Sequence, residues 1–201
     1  TLFLIAFIPA ILSVLFTFVI KEQQKELPLS KPATSLLEKF SYWKSSPTAF
    51  RQLMIGLLFF GLINSSDVFL LLQTKQITGD DSKVLMVYIF YNLVFALFAL
   101  PLGRLADKIG MKKMIVFGLV LFSVVYTGMG LTGDFRMVLI LFFLYGIYAA
   151  ATEGVAKALI SNLVPKTSTG TAIGFYAGWN SICAFVASSV TGLIWYAVSP
   201  E

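Results

Sequence analysis

The sequence predicts an all-α membrane protein of six transmembrane helices, and three observations carry that prediction. The 201 residues are 58% hydrophobic and 12% charged, with mean hydropathy +0.86. A soluble domain is typically about a quarter charged, so this chain has too little polar surface to cover a globule. Six apolar runs each match a hydrocarbon core, which takes about 17–25 helical residues. Basic residues also crowd the connections on one side of those runs, as they do in inserted membrane proteins.

The runs lie at residues 2–20, 53–72, 84–102, 114–131, 138–159 and 172–198. The first begins at the first residue with no basic region before it, so it lacks the layout of a signal peptide. It reads as a helix of a longer chain whose earlier helices precede it. Pro9 falls inside this run, which a bundled membrane helix tolerates because neighbours re-satisfy the freed carbonyl. Residues 21–50 form a polar connector. Ser35 and Glu38 have capping-box spacing, and Leu36, Phe40 and Trp43 share one helical face suited to a membrane surface. A solvated connector fits the same residues. The remaining connections are short, which makes residues 51–201 a compact antiparallel bundle.

Charge sets the orientation. Lys21, Lys25, Lys31, Lys39, Lys44 and Arg51 follow the first run. Arg104, Lys108, Lys112 and Lys113 follow the third, and Lys157 and Lys166 flank the end of the fifth. The opposite side carries Lys75, Lys83 and Arg136. Twelve basic residues against three put the connections after runs one, three and five in the cytoplasm of an inner-membrane protein, with both ends of the chain outside. The net charge of +5 is therefore an orientation signal and implies no nucleic-acid partner. The expected partners are the lipid bilayer and a small-molecule substrate.

The composition also bounds the chemistry. There is no His and one Cys, Cys183, which removes His-based metal sites, intrachain disulfides and Cys-rich clusters. No Ser–His pair or pair of carboxylates is visible, so neither an enzyme nor a cofactor is expected.

Asp67 sits inside the second run, nearer its outer end. An ionisable group there costs a few kcal/mol on insertion scales and implies a partner or a wet cavity. One reading makes it a protonatable or substrate-binding carboxylate. The other makes it a carboxylate satisfied by neighbouring hydroxyls or by the hydrated interface. Asn64, Tyr91, Asn92, Tyr148, Trp179 and Asn180 fall near mid-membrane by turn counting. They are candidates to line a solute cavity, although each also suits an interhelical hydrogen bond. Runs two, three, five and six are then the cavity helices, and runs one and four face lipid. Glu153 and Lys157 have the spacing of an intrahelical ion pair. They adjoin a small-residue stripe, Gly146, Ala150 and Gly154, that favours close packing. Gly174 and Gly178 have similar spacing, and Thr169 or Thr171 is placed to cap the last helix.

Between the third and fourth runs, residues 101–113 read as a tight charged turn. Gly103, Arg104, Leu105, Ala106, Asp107, Lys108, Ile109, Gly110, Met111, Lys112 and Lys113 resemble the cytoplasmic signature of the major facilitator superfamily of transporters. Met111 departs from the basic residue usual there. Asn64 to Leu72 looks like the first helix of a C-terminal half in bacterial members. Glu153 through Pro165 to Gly170, Thr171 and Ala172 is similar to the passage between their tenth and eleventh helices.

The resemblance implies a partial major facilitator fold, the C-terminal half lacking its last helix. Residues 1–20 would be the last helix of the N-terminal half, 21–50 the interdomain linker and 51–201 the incomplete C-terminal bundle. It implies secondary transport of a small organic solute by alternating access, with proton coupling one option and the N-terminal half a required partner. Proton-driven drug efflux and a non-transporting six-helix scaffold are the alternatives. Gly103, Arg104, Asp107, Lys108, Gly110, Lys112, Lys113 and Glu153 would form a gate that holds helix ends together in one state.

Overall fold

In the computed structural model, residues 11, 14–18 and 42–198 are described. The chain divides into two compact units, Thr1–Pro32 and Ala33–Glu201. In the first, residues 11 and 14–18 are helical, with Val14, Leu15, Phe16 and Phe18 exposed. Most of the first run and of the connector, including its capping box, lies outside the described residues.

The helices described in full in the second unit are α1 (Thr48–Gly61), α2 (Val68–Thr78), α3 (Asp81–Ile109), α4 (Met111–Leu131), α5 (Phe135–Leu163) and α6 (Thr169–Val198). Among the described residues four stretches are long and apolar enough to cross a membrane: Asp81–Ile109, Met111–Leu131, Phe135–Leu163 and Lys166–Val198. Large apolar side chains stay exposed on every helix, among them Phe59, Val68, Leu97, Val120, Ile140 and Phe185. A lipid-facing surface accounts for that pattern.

The second apolar run is not one helix. It breaks after Gly61 and resumes at Val68 as α2. The interruption holds Asn64, Ser65, Ser66 and Asp67, four short polar residues whose side chains compete for local backbone groups. The backbone tightens first, with Ile63 N–H donating to Phe60 O at 2.9 Å and Ser65 N–H to Ile63 O at 3.1 Å. Two amides freed by the break find hydroxyl acceptors: Ser66 N–H reaches Ser188 Oγ on α6 at 3.2 Å, and Val68 N–H reaches Ser66 Oγ at 3.4 Å. Such replacement bonds are what let a membrane helix be interrupted.

The charged stretch after the third run is also reshaped. α3 continues through Arg104, Leu105, Asp107 and Lys108 to Ile109, with Pro101 inside it, and α4 starts at Met111. The turn is Gly110 alone, at φ 102°, a left-handed conformation that a side chain disfavours. Apolar character ends near residue 102, but nothing there ends the helix. Asp80 and Asp134 cap α3 and α5 by accepting from Ser82 N–H at 2.9 Å and Arg136 N–H at 3.2 Å. Thr169 does not cap α6. It is the first residue of that helix, and its hydroxyl donates back to Pro165 O at 3.4 Å.

α5 is the core helix. Twelve of its 29 residues are buried, against four in α3 and six in α4. Gly146 is where α3 comes closest: a Cβ there would lie 2.7 Å from Val94 Cγ1 and 3.1 Å from Tyr91 O. Gly174 and Gly178, by contrast, face open space. Trp43 is half-buried against the bundle. It stacks on Phe175 of α6 at 6.2 Å beside a cluster of Phe50, Met54, Ile160 and Ala172.

Candidate functional site: a carboxylate at a broken helix

The break brings a carboxylate onto the most buried helix of the bundle. Asp67 immediately precedes α2, and its Oδ1 accepts a 2.9 Å hydrogen bond from the Tyr145 hydroxyl of α5. One turn along α5, the Tyr148 hydroxyl accepts from Asn64 Nδ2 at 3.3 Å. The N-terminal end of α2 adds a partial positive charge beside Asp67. Among the described residues no ion pair involves Asp67, and the one such pair joins Lys75 to Asp81 at 2.9 Å.

Aromatic rings surround this segment. Tyr145 lies between Tyr91 of α3 and Tyr148, with ring centroids 5.2 and 5.3 Å away. Phe122 of α4 packs 5.2 Å from Tyr148 and 4.8 Å from Phe60 of α1. Tyr126 of α4 stands 4.1 Å from Phe122, and its hydroxyl neighbours Ser65 and Tyr145. Tyr91, Tyr145 and Tyr148 are 8%, 2% and 6% exposed, so they pack as core and do not line open space. Asn64 Oδ1, a buried polar atom at the site, has no hydrogen-bond partner among the described residues.

Of the mid-membrane candidates, Asn64, Asp67, Tyr91 and Tyr148 come together here. Asn180 of α6 is adjacent, because a Cβ on Gly61 would fall 3.0 Å from its Oδ1. Asn92 does not join them. It is exposed and donates to Tyr88 O at 2.8 Å within its own helix. Trp179 lies near the Phe175 cluster, ring centroids 6.3 Å apart. Sequence reasoning missed Tyr145, the closest partner of Asp67, and set aside α4, which supplies Phe122 and Tyr126. The available signal was spacing: Tyr145 and Tyr148 are three apart, so they share a helix face.

The proposed gate is a separate place. A cleft of about 240 Å³ between α3 and α5 is lined by Phe95, Ala99, Gly103, Ala106, Asp107, Met111, Ala150, Gly154, Val155 and Ala158. The small-residue stripe on α5 thus packs tightly at Gly146 and opens into this cleft at Ala150 and Gly154. Arg104, Lys108, Lys112, Lys113 and Glu153 are exposed. Glu153 and Lys157 do not come within ion-pair distance despite their spacing, as is common for long side chains that pay entropy to hold an exposed pair.

Ser188 is expected to matter for stability. Ser188→Ala leaves the Ser66 amide without an acceptor and should cost about 1 kcal/mol or more, read as a lower melting temperature. Ser188→Thr, which keeps the hydroxyl, should restore it. Equal melting temperatures for the wild type and the Ala variant would show that the break needs no partner from α6.

Comparison with known proteins agrees with this architecture. The profile of the Major Facilitator Superfamily matches residues 1–188. An uncharacterized MFS-type transporter of Methanocaldococcus jannaschii is 29% identical over 164 residues, covering 79% of this chain and 41% of the relative. An uncharacterized MFS-type transporter of Mycobacterium tuberculosis is 26% identical over 156 residues, covering 77% of this chain and 27% of the relative. The chain therefore spans less than half the length of these relatives. No solved structure matches it. With a profile match over nearly its whole length and a bundle of membrane-length helices, the chain belongs to the Major Facilitator Superfamily.

Proposed function

We propose that this chain is the second half, with one preceding helix, of a secondary transporter that moves a small organic solute by alternating access. Residues 1–20 are then the last helix of the first half, 21–50 the linker and 51–201 the second bundle. The observation that carries the reading is the membrane helix interrupted at Asp67 and docked on α5 through Tyr145. Interrupted helices in transporters supply polar backbone and side chains to a mid-membrane site, at a cost that a purely structural bundle has no reason to bear. Asp67 is the proton or substrate carboxylate. Asn64 and Asn180 offer neutral polar contacts beside it. The 104–113 end, rich in basic residues, faces the cytoplasm of the inner membrane.

The test uses the full-length protein. Thermal shift against a panel of small organic solutes identifies a ligand, and flux of that ligand into vesicles with an imposed proton gradient follows. Accumulation against the solute gradient supports the reading. A ligand that binds but never crosses overturns it.

Asp107 acts in gating on this reading. It borders the cleft between α3 and α5, away from Asp67. Asp107→Asn is expected to lower turnover about tenfold, with little change in substrate affinity, because a charge-assisted contact made in one conformation is weakened. Normal turnover with lost binding would place Asp107 in the substrate site instead.

A further inference from the structure

We propose that Tyr145 is the positioning residue through which the charge on Asp67 controls the docking of α2 on α5. The use of that link in transport rests on the function proposed above; the link itself rests on geometry. Asn64 and Asp67 both lie in the interruption, three residues apart. Tyr148 and Tyr145 are also three apart, on one face of α5, and the two pairs meet in antiparallel order. The segment before α2 is thus latched to α5 at two points.

The two points differ in kind. Asn64 donates to Tyr148 at 3.3 Å, a bond between neutral groups that no charge on Asp67 strengthens. Tyr145 donates to Asp67 at 2.9 Å, and this bond is charge-assisted only while the carboxylate is ionised. Tyr145 is 2% exposed, so water is poorly placed to replace it. Protonating Asp67 therefore weakens one latch point and leaves the other.

The titratable groups that face this pair come from α3, α4 and α5. Tyr91 approaches from α3, Tyr126 from α4, and Tyr148 and the more distant Glu153 from α5. α6 contributes Ser188, which does not titrate. Among the described residues no lysine or arginine lies within ion-pair distance of Asp67. The Tyr145 hydroxyl, with that of Tyr91 beside it, is thus the donor positioned to hold the charge.

Infrared pH titration of the purified full-length protein tests this without a substrate. The protonated-carboxyl band lost in Asp67→Asn belongs to Asp67. Removing a donor to the charged form raises proton affinity. In Tyr145→Phe the midpoint of that band should move up by about one pH unit, a tenfold tighter proton. An unmoved midpoint overturns the proposal, whereas a merely structural tyrosine would lower the melting temperature and leave the midpoint alone. Wild-type protein provides an independent arm. Hydrogen exchange of the α2 amides, corrected for its intrinsic pH dependence, should quicken as Asp67 protonates. Exchange that ignores the Asp67 midpoint overturns the proposal even if the Phe variant does not fold. If both responses appear but Asp67→Asn still transports normally, the latch stands and the transport role of Asp67 falls.

Discussion

On the function proposed above, Asp67→Asn in the full-length protein is expected to abolish proton-coupled transport while leaving the fold intact. The substitution is nearly isosteric. Its amide oxygen still accepts from the Tyr145 hydroxyl, so the 2.9 Å contact and the ring packing around it survive. What is lost is the one ionisable group of the break. The melting temperature should therefore stay within a few degrees of wild type, which separates the charge from the packing. Two assays then assign the role. If Asp67 carries the proton, solute exchange across the membrane continues in the variant, but accumulation driven by a proton gradient stops. If Asp67 binds the solute, both fail, and affinity drops about ten- to a hundredfold, as expected for one lost hydrogen bond to a charged group. Uptake with wild-type pH dependence would reject both roles and leave a carboxylate that serves only the fold.

Much of this architecture was legible in the sequence because a membrane chain must announce its spans. Runs 84–102, 114–131, 138–159 and 172–198 all lie within observed helices, since an unbroken apolar stretch in lipid has no alternative to helix. The break in 53–72 was not legible for a physical reason. Strongly apolar flanks carried the average across the polar residues, and what tips such residues out of a helix is the supply of distant partners. Ser188 is 122 positions from Ser66, and Tyr145 is 78 from Asp67. Only the folded chain reveals those pairings. The same limit hid Tyr145, one aromatic among many in α5. Asn92 was a different kind of miss. It follows Tyr91 directly, and adjacent residues on a helix diverge by about 100°, so one of the two had to face away from the site. The charged stretch at 104–109 misled in the opposite sense. Hydropathy marks where lipid ends, while the helix itself ends at the first residue that leaves helical conformation, Gly110.

Gly146→Ala is expected to destabilise the bundle by about 1–3 kcal/mol, the usual range for forcing extra atoms into a packed core. The added methyl would lie 2.7 Å from Val94 Cγ1, 2.8 Å from Val94 Cβ and 3.1 Å from Tyr91 O. Val94 is buried and has little freedom to rotate away, and the carbonyl moves only if α3 moves. Gly178→Ala supplies the opposite expectation. Its new methyl meets nothing within 4 Å, so the substitution mainly removes the glycine's excess freedom in a helix interior, which favours folding by about 0.5–1 kcal/mol. Opposite shifts in melting temperature for one chemical change would isolate steric approach as the cause. Gly146→Ala should also disturb the site, because α3 carries Tyr91, whose ring packs 5.2 Å from that of Tyr145. A variant with the melting temperature of wild type would mean that α3 and α5 are not held at this spacing, and the docking of Asp67 on α5 would then need a different support.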